Sequence, residues 1–178
     1  MTTKDIVYIA LFAGIFAALA VIPPILLLPI PITAQSLGVM LAGSILGAKR
    51  GALASLLFIA IMATGFPIMA GAHGGIGVIM GPSGGFIVGF PPSAYSIGLL
   101  FERNWNRLTL GWAFTYILLG GIIVLYTFGL LWINFLFDIH IYKAFISCLI
   151  CIPGDLIKAT IAATTSMVIK RSYPLIKV

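Results

Sequence analysis

Three long stretches of this sequence, residues 6–48, 51–101 and 108–137, contain no charged residue. A helix that crosses the hydrocarbon core of a bilayer needs about 20 consecutive apolar residues. The first two stretches are therefore each long enough for two spanning helices, and the third is long enough for one. The chain is 61% hydrophobic and 8% charged, which is far from the composition of an ordinary soluble domain. These features predict an all-α integral membrane protein.

Proline and glycine residues mark the breaks within these stretches. Prolines between residues 23 and 31 interrupt the first stretch, and a glycine-rich segment over residues 65–85 interrupts the second. A further apolar segment follows the third stretch and supplies one more helix. We therefore predict one domain over residues 1–178 with six transmembrane helices, at about residues 5–27, 36–48, 51–66, 83–101, 109–133 and 143–169.

The basic residues indicate how these helices are oriented. In the six-helix arrangement one side holds Lys4, Lys49, Arg50, Arg103, Arg107, Lys170, Arg171 and Lys177, and the other side holds Lys143 with Asp138 and His140. Lys and Arg accumulate in the cytoplasmic loops of membrane proteins. The pattern therefore predicts that both termini are cytoplasmic. The net charge of +6 is then a signal of orientation, and we expect no nucleic acid partner.

Asp155 and Lys158 lie in the otherwise uncharged segment of residues 144–169. A charged residue near the centre of a membrane helix costs about 2.5–3.5 kcal/mol on insertion scales, and such residues mark functional sites. The i, i+3 spacing places both side chains on one helical face, where they could grip one ligand together. Pro153 and Gly154, directly before them, are expected to loosen the helix next to a cavity. The alternative is that Asp155 and Lys158 form an ion pair with each other and bind no ligand.

Other polar residues lie on the non-cytoplasmic side of the predicted helices. They are Thr33, Gln35 and Ser36 in the first loop, and His73 and Ser83 in the glycine-rich second loop. The glycine-rich loop is a candidate lid over a polar pocket, and we expect His73 to be a solvated loop residue. Cys148 and Cys151 have the CxxC spacing of redox pairs, but their predicted position at lipid depth favours packed thiols.

Small residues on the first predicted helix form two ridges, Ala10–Gly14–Ala18 and Ala13–Ala17. Small side chains at this spacing allow membrane helices to approach one another closely. The sequence supports two uses of the ridges equally: packing inside the helix bundle, or docking on another membrane protein.

Three motifs in this order resemble those of a known family. Residues 31–43 (PITAQSLGVMLAG), 74–90 (GGIGVIMGPSGGFIVGF) and 153–159 (PGDLIKA) resemble the first loop, the long loop and the sixth helix of BioY. BioY is the biotin-specific S component of energy-coupling factor (ECF) transporters. The resemblance extends over essentially the whole chain. It implies an S-component-like bundle in a bacterial cytoplasmic membrane that binds biotin with high affinity for uptake.

The resemblance also implies roles for individual residues. Asp155 and Lys158 match the sixth-helix Asp and Lys that contribute to biotin binding in the family. By its chemistry Lys158 can supply a cation to the carboxylate, together with backbone or hydroxyl donors, and Asp155 can accept hydrogen bonds from the ureido N–H groups. Further expected ligand contacts are Gln35, which matches the first-loop glutamine of the family, and Thr33, Gly84, Gly85 and Phe86. The surface that docks on the transmembrane coupling protein corresponds to Ala13 and Ala17, with Ala10 and Gly14.

The energy for transport must come from partner proteins. The sequence contains no G-x-x-x-x-G-K-[ST] motif and so carries no P-loop for ATP. The resemblance implies an ECF coupling protein and two ABC-type ATPases as partners, and a homo-oligomer of this chain alone is a further option. We expect no enzyme activity, cofactor or metal, with biotin as the transported ligand. No arginine occurs between residues 51 and 101, so a relative that binds the carboxylate through a fourth-span arginine is not matched here.

Other functions fit parts of the sequence. An S component for a different vitamin would share the bundle and its motifs. An ion-coupled small-molecule carrier would use Asp155 as a proton or cation site. A small intramembrane enzyme is poorly supported, because the sequence suggests no nucleophile–base pair and no metal cluster.

Overall fold

The structure is a computed structural model that describes residues 1–24, 33–138, 141–173 and 175–176, with the backbone alone at residues 141, 143, 144 and 147. Pro29, Pro31, His140, Lys177 and the side chain of Lys143 lie outside this description. The described helices are α1 (Thr3–Leu19), α2 (Gln35–Leu46), α3 (Ala48–Ala63), α4 (Ile76–Met80), α5 (Gly84–Arg103), α6 (Leu110–Leu118), α7 (Leu125–Phe137), α8 (Ile141–Leu149) and α9 (Ile152–Ser172). A 3-10 turn, Trp105–Arg107, precedes α6, and a π-helical segment, Leu119–Val124, joins α6 to α7.

Local sequence determines where several helices begin. Thr2 and Asp5 form a capping box at the start of α1, in which Thr2 N–H donates to Asp5 Oδ2 at 2.7 Å and Asp5 N–H donates to the Thr2 hydroxyl at 3.4 Å. Thr109 caps α6 by accepting from Trp112 N–H. Between α2 and α3 the chain turns at Gly47, whose φ of 86° lies in the left-handed region that favours glycine. Helices α2 and α3 therefore follow one another almost without a loop.

Helix α5 is the centre of the bundle, because α2, α3, α7 and the π-helical segment all pack against it. Glycine permits two of these contacts. A Cβ atom at Gly43 of α2 would lie 2.5 Å from the Ala94 carbonyl oxygen of α5, and a Cβ atom at Gly85 of α5 would collide with Trp132 of α7. Larger residues at these positions would push the helices apart, as expected for small residues in membrane helix packing. Around this centre, α1 packs on α2 and α3, α9 on α2 and α6, and α8 on α7.

The π-helical segment is tied to α5 by a buried hydroxyl. Ser93 donates a hydrogen bond of 2.7 Å to the Gly120 carbonyl. A π-helical turn departs from the regular i→i−4 bonding pattern, and the Ser93 hydroxyl gives the carbonyl of this turn an additional partner. The contact holds the long helix of residues 110–137 against the centre of the bundle.

One end of the bundle collects basic residues. Arg50 at the start of α3 forms an ion pair of 3.2 Å with Asp5 of α1 and donates to the Leu175 carbonyl. Lys170 at the end of α9 donates to the Trp105 carbonyl and lies over the Trp105 ring. These contacts bring the start of α1, the α2–α3 turn, the α5–α6 connection and the C-terminal segment together.

The first five predicted spans agree with helices, apart from the end of the first. Helix α1 ends at Leu19, well before the predicted end at residue 27. The physical reason is the Pro23–Pro24 pair, since proline also disfavours the α conformation in the residue before it. The glycine-rich loop contains one short helix, α4. Two helices of the described chain, Gly84–Arg103 and Leu110–Phe137, are long and apolar enough to cross a membrane by length and composition.

The sixth predicted span is two helices, which corrects the expectation of one continuous helix over residues 143–169. Helix α8 ends at Leu149 and α9 begins at Ile152, after a turn in which Cys151 N–H donates to the Cys148 carbonyl at 3.0 Å. Pro153 explains the break, because proline is tolerated in the first turn of a helix and not in its interior. Asp155 therefore lies in the first turn of α9 and not in mid-helix.

Candidate functional site

A cavity of about 140 Å³ lies beside the start of α5 and the start of α9, under the glycine-rich loop. Both helices run from this cavity towards the basic end of the bundle, so the cavity and the basic residues are at opposite ends. The polar wall consists of Thr33, Ser36, His73, Ser83, Tyr126, Asp155 and Lys158. The remaining wall consists of Met69, Ala70, Val78, Phe86, Ile87, Phe90, Leu125, Cys148 and Cys151.

Asp155 and Lys158 meet in this cavity at the centre of a polar network. Lys158 Nζ lies 2.8 Å from Asp155 Oδ1, as the i, i+3 spacing predicted. Lys158 also donates to the Thr33 carbonyl at 2.7 Å and to the Ser36 hydroxyl at 3.0 Å. An ammonium group has three N–H donors, so all three are engaged. The network thus ties the segment before α2 to the first turn of α9.

Tyr126 of α7 completes the network and is not among the site residues predicted from the sequence. Its hydroxyl donates to Asp155 Oδ2 at 2.6 Å, and only 9% of the residue is exposed. The other carboxylate oxygen of Asp155 is held by Lys158 and lies 3.4 Å from the Ser36 hydroxyl. Asp155 is therefore oriented from three elements, α2, α7 and α9. Buried tyrosine hydroxyls usually have a hydrogen-bond partner, which is the one sequence signal that points to Tyr126.

Gln35 lies behind the cavity wall and not in it, which differs from the expected ligand contact. The residue is fully buried, and both ends of its side-chain amide bind the backbone of the second loop. Nε2 donates to the Ile68 carbonyl at 3.2 Å, and Oε1 accepts from Ala70 N–H at 3.4 Å. Met69 and Ala70 do line the cavity. Gln35 therefore positions one part of the wall.

The start of α5 contributes three side chains to the wall, those of Phe86, Ile87 and Phe90, and also holds two glycines. Phe86 lines the cavity, with its ring edge-on to Tyr126 at a centroid distance of 5.8 Å. Gly84 and Gly85, also predicted as ligand contacts, are not part of the wall; they allow α5 to approach Trp132. Trp132 Nε1 donates to the Gly81 carbonyl at 3.0 Å. This bond anchors the last part of the glycine-rich loop to α7.

His73 and the two cysteines also lie in the cavity wall. His73 is exposed, as expected for a loop residue, but it also lines the cavity, although it was not predicted as a ligand contact. Cys148 and Cys151 are buried free thiols, in agreement with the prediction of packed cysteines. Their place in the wall follows from the turn between α8 and α9.

The two ridges of α1 face in different directions. Ala13 is 5% exposed and belongs to the core that α1 forms with α2 and α3, and Ala17 is half-buried. Ala10 and Gly14 are exposed, and nothing lies within 4 Å of a Cβ atom placed at Gly14. Burial thus separates the predicted docking residues into an inner pair and an outer ridge, and Ala13 is not accessible to a partner. Ala18 is exposed as well, so we define the outer ridge as Ala10, Gly14 and Ala18.

The arrangement suits reversible binding of a small polar molecule. It offers an oriented carboxylate and a tyrosine hydroxyl at its inner end, surrounded by aliphatic and aromatic side chains. Sites of this kind gain specificity from a few placed polar groups in an apolar wall. No group of three or more His, Cys, Asp or Glu side chains that could hold a metal ion occurs among the residues that the structure describes.

The sequence and the fold of this chain are both similar to those of known proteins. The sequence matches the BioY family model over residues 1–175. It is 43% identical to the biotin transporter BioY of Rhizobium etli, over 99% of this chain and 98% of that protein, and 39% identical to the biotin transporter BioY of Rhodobacter capsulatus, over 96% and 95%. The fold is similar to the crystal structure of the S-component for biotin from an ECF-type ABC transporter, with a TM-score of 0.89 and 29% identity over 96% of this chain and 95% of that one. The chain belongs to the BioY family.

Proposed function

We propose that this protein is the substrate-capture subunit of an ECF-type transporter and that its substrate is biotin. The relatives are named as biotin transporters, and the similar structure is an S-component for biotin. Within this chain, the observation that carries the proposal is the network of Asp155, Lys158, Ser36 and Tyr126 in a cavity whose remaining wall is largely apolar.

Biotin has a polar ureido ring, an apolar bicyclic body and a carboxylate at the end of a flexible chain. Asp155 can accept a hydrogen bond from a ureido N–H, since each carboxylate oxygen accepts more than one. Tyr126 and Ser36 supply hydroxyls beside it. Phe86, Phe90 and the aliphatic wall can cover the bicyclic body. A ligand without ureido N–H groups would make no hydrogen bond to Asp155, so we expect this carboxylate to favour ligands that carry a ureido ring.

The proposed membrane arrangement has six crossings in one domain, with both termini in the cytoplasm of a bacterial cell. The crossings are α1, α2, α3, α5, the continuous helix of α6 and α7, and the pair α8–α9. Support comes from the basic end of the bundle, where Arg50 and Lys170 bind backbone carbonyls of neighbouring segments. Cytoplasmic ends are rich in Lys and Arg. The cavity then opens towards the outside of the cell.

The proposed partners are a transmembrane coupling protein and two ABC-type ATPases. The chain has no P-loop, so ATP hydrolysis must take place in other subunits. The outer ridge of α1 is the proposed docking surface. Its residues are small and exposed, so a helix of the coupling protein can approach this face closely.

A vitamin panel tests the proposed substrate. We expect the detergent-purified protein to bind biotin saturably with one site per chain and to give no saturable response to thiamine or riboflavin, because neither presents a ureido ring with two N–H groups to Asp155. Isothermal titration calorimetry measures both quantities. A saturable response to another vitamin with none to biotin would assign the protein to a different substrate.

Cysteine accessibility tests the proposed topology. We expect Lys4→Cys and Tyr173→Cys to react with a membrane-impermeant maleimide only in inverted vesicles, and Asp138→Cys to react from outside intact cells. All three side chains are exposed, so protein burial does not limit labelling. The parent protein serves as the control for its own two cysteines. Opposite accessibility of positions 4 and 173 contradicts an even number of crossings.

A further inference from the structure

The cation of the cavity is already engaged within the protein. Lys158 uses its three donors on Thr33, Ser36 and Asp155, and its charge is paired with that of Asp155. The pair therefore presents neither a net charge nor a remaining N–H to a ligand. Lys158 was predicted as a cation for the biotin carboxylate, but in the structure its donors hold the cavity wall together. A carboxylate in this cavity needs a different donor.

His73 is a second candidate donor in the cavity wall. Within the described residues its imidazole has no hydrogen-bond partner, whereas its backbone is fixed by a bond of 2.9 Å from Met69 N–H to the His73 carbonyl. His73 is exposed, and Asp155 is 4% exposed. The two side chains therefore line the same cavity at different depths, His73 at the outer rim and Asp155 at the inner end.

The turn before His73 adopts an unfavourable backbone conformation. Gly71 and Ala72 both have positive φ angles, 84° and 59°. Glycine adopts such angles freely, but alanine does so at a cost. The imidazole packs on Gly71, where a Cβ atom would lie 3.2 Å from its Cδ2 atom. Residues held in disfavoured regions concentrate at ligand-binding sites, and here the strained residue directly precedes a side chain that faces the cavity.

We infer that His73 donates a hydrogen bond to the carboxylate of biotin. This assignment rests on the proposed function and adds the residue that selects the acid end of the substrate. The ureido ring lies at the inner end against Asp155 and Tyr126, and the carboxylate chain extends to the rim. Imidazole carries an N–H in either neutral tautomer, so the contact requires no charged histidine.

Two hydroxyls are the competing donors for the carboxylate. Thr33 and Ser83 also line the cavity, and no hydrogen bond of their side chains occurs within the described residues. A hydroxyl can donate only one hydrogen bond, as can the neutral imidazole. The position of His73 at the rim and the strained turn that presents it favour the imidazole.

The test compares two ligands, biotin and its analogue in which a methyl group replaces the carboxylate. We expect His73→Ala to weaken biotin binding about tenfold, the effect of losing one hydrogen bond to a charged group, and to leave binding of the methyl analogue within about twofold. His73→Gln retains an N–H donor and is expected to recover part of the loss. Phe66→Ala is the control, because Phe66 is an exposed residue of the same loop outside the cavity wall.

Each other result overturns the assignment. An equal loss for both ligands means that His73 only shapes the loop, and no loss for either ligand means that it does not contact the substrate. A loss confined to biotin in Ser83→Ala or Thr33→Val, with none in His73→Ala, assigns the carboxylate to that hydroxyl. Failure of the unmodified protein to bind biotin is a separate result, which refutes the proposed function before the variants are compared.

Discussion

Lys158→Met is expected to weaken binding of biotin and of its methyl analogue equally, by tenfold or more. The reason is that Lys158 binds Thr33, Ser36 and Asp155 within the protein and leaves no donor for the biotin carboxylate. Without it, Asp155 becomes a buried carboxylate that has lost its countercharge, and the Thr33 carbonyl and the Ser36 hydroxyl lose a donor. Breaking a buried ion pair from one side typically costs about 3–5 kcal/mol of stability. We therefore expect a lower thermal midpoint for the same variant.

Asp155→Asn combined with Lys158→Met separates a binding role from a structural one. Removing both charges avoids the unpaired buried ion, so the double variant is expected to be more stable than either single variant. Binding should not return with stability, because the carboxylate that accepts from the ureido group is absent. A double variant that binds biotin like the parent protein would show that Asp155 and Lys158 only pair with each other and do not bind the ligand.

The matched control for this series is Lys170→Met. It makes the same chemical change in the same helix, but Lys170 binds the Trp105 carbonyl at the opposite end of the bundle. We expect its affinity for both ligands to equal that of the parent protein. Titration calorimetry and thermal unfolding of the same preparations provide the affinities and the stabilities.

The helices were largely predictable because lipid imposes a simple rule on sequence. A spanning segment must satisfy its backbone internally and exclude charge, so charge-free stretches and their prolines place most helices within a few residues. The break before α9 was harder to predict. No charged residue occurs in residues 144–152, and composition alone does not distinguish a helix that Pro153 loosens from two helices that meet before it.

The site was predictable only where its partners are close in sequence. Asp155 and Lys158 are three residues apart, so their pairing follows from helix geometry. Tyr126 reaches Asp155 from another helix, and Gln35 binds the backbone of residues 68 and 70. Polarity in an apolar stretch indicates that such a side chain has a partner, but it does not indicate whether the partner is a ligand or the protein's own backbone. The fold makes that distinction.

Which of the two small-residue ridges of α1 faces the bundle depends on how that helix is rotated about its axis. Ala13 and Gly14 are adjacent in sequence, yet one is buried and the other exposed. Adjacent helical residues point about 100° apart, so the two ridges cannot have the same environment. The small-residue pattern alone does not define which ridge faces the bundle, because both read as good packing surfaces.

Gly14→Trp is expected to abolish assembly with the coupling protein while leaving biotin binding by the isolated subunit unchanged. Gly14 is exposed, and nothing lies within 4 Å of a Cβ atom placed there, so a side chain at this position leaves the helix on the side away from the bundle. In a close helix–helix contact the same side chain would hold the partner helix away. Pull-down of the coupling protein should be lost, and cells that depend on uptake at low external biotin should stop growing.

Ala13→Trp is the contrasting variant one residue away. Ala13 is 5% exposed and packs in the core of α1, α2 and α3, where added volume forces strain that typically costs 1–3 kcal/mol or more. We expect this variant to lose thermal stability, and biotin binding with it, in the isolated subunit. Calorimetric titration, thermal unfolding and pull-down on both variants distinguish the docking role of the exposed face of α1 from the packing role of its buried face. If Gly14→Trp also loses biotin binding in the isolated subunit, or if it still assembles, the outer ridge is not the docking surface.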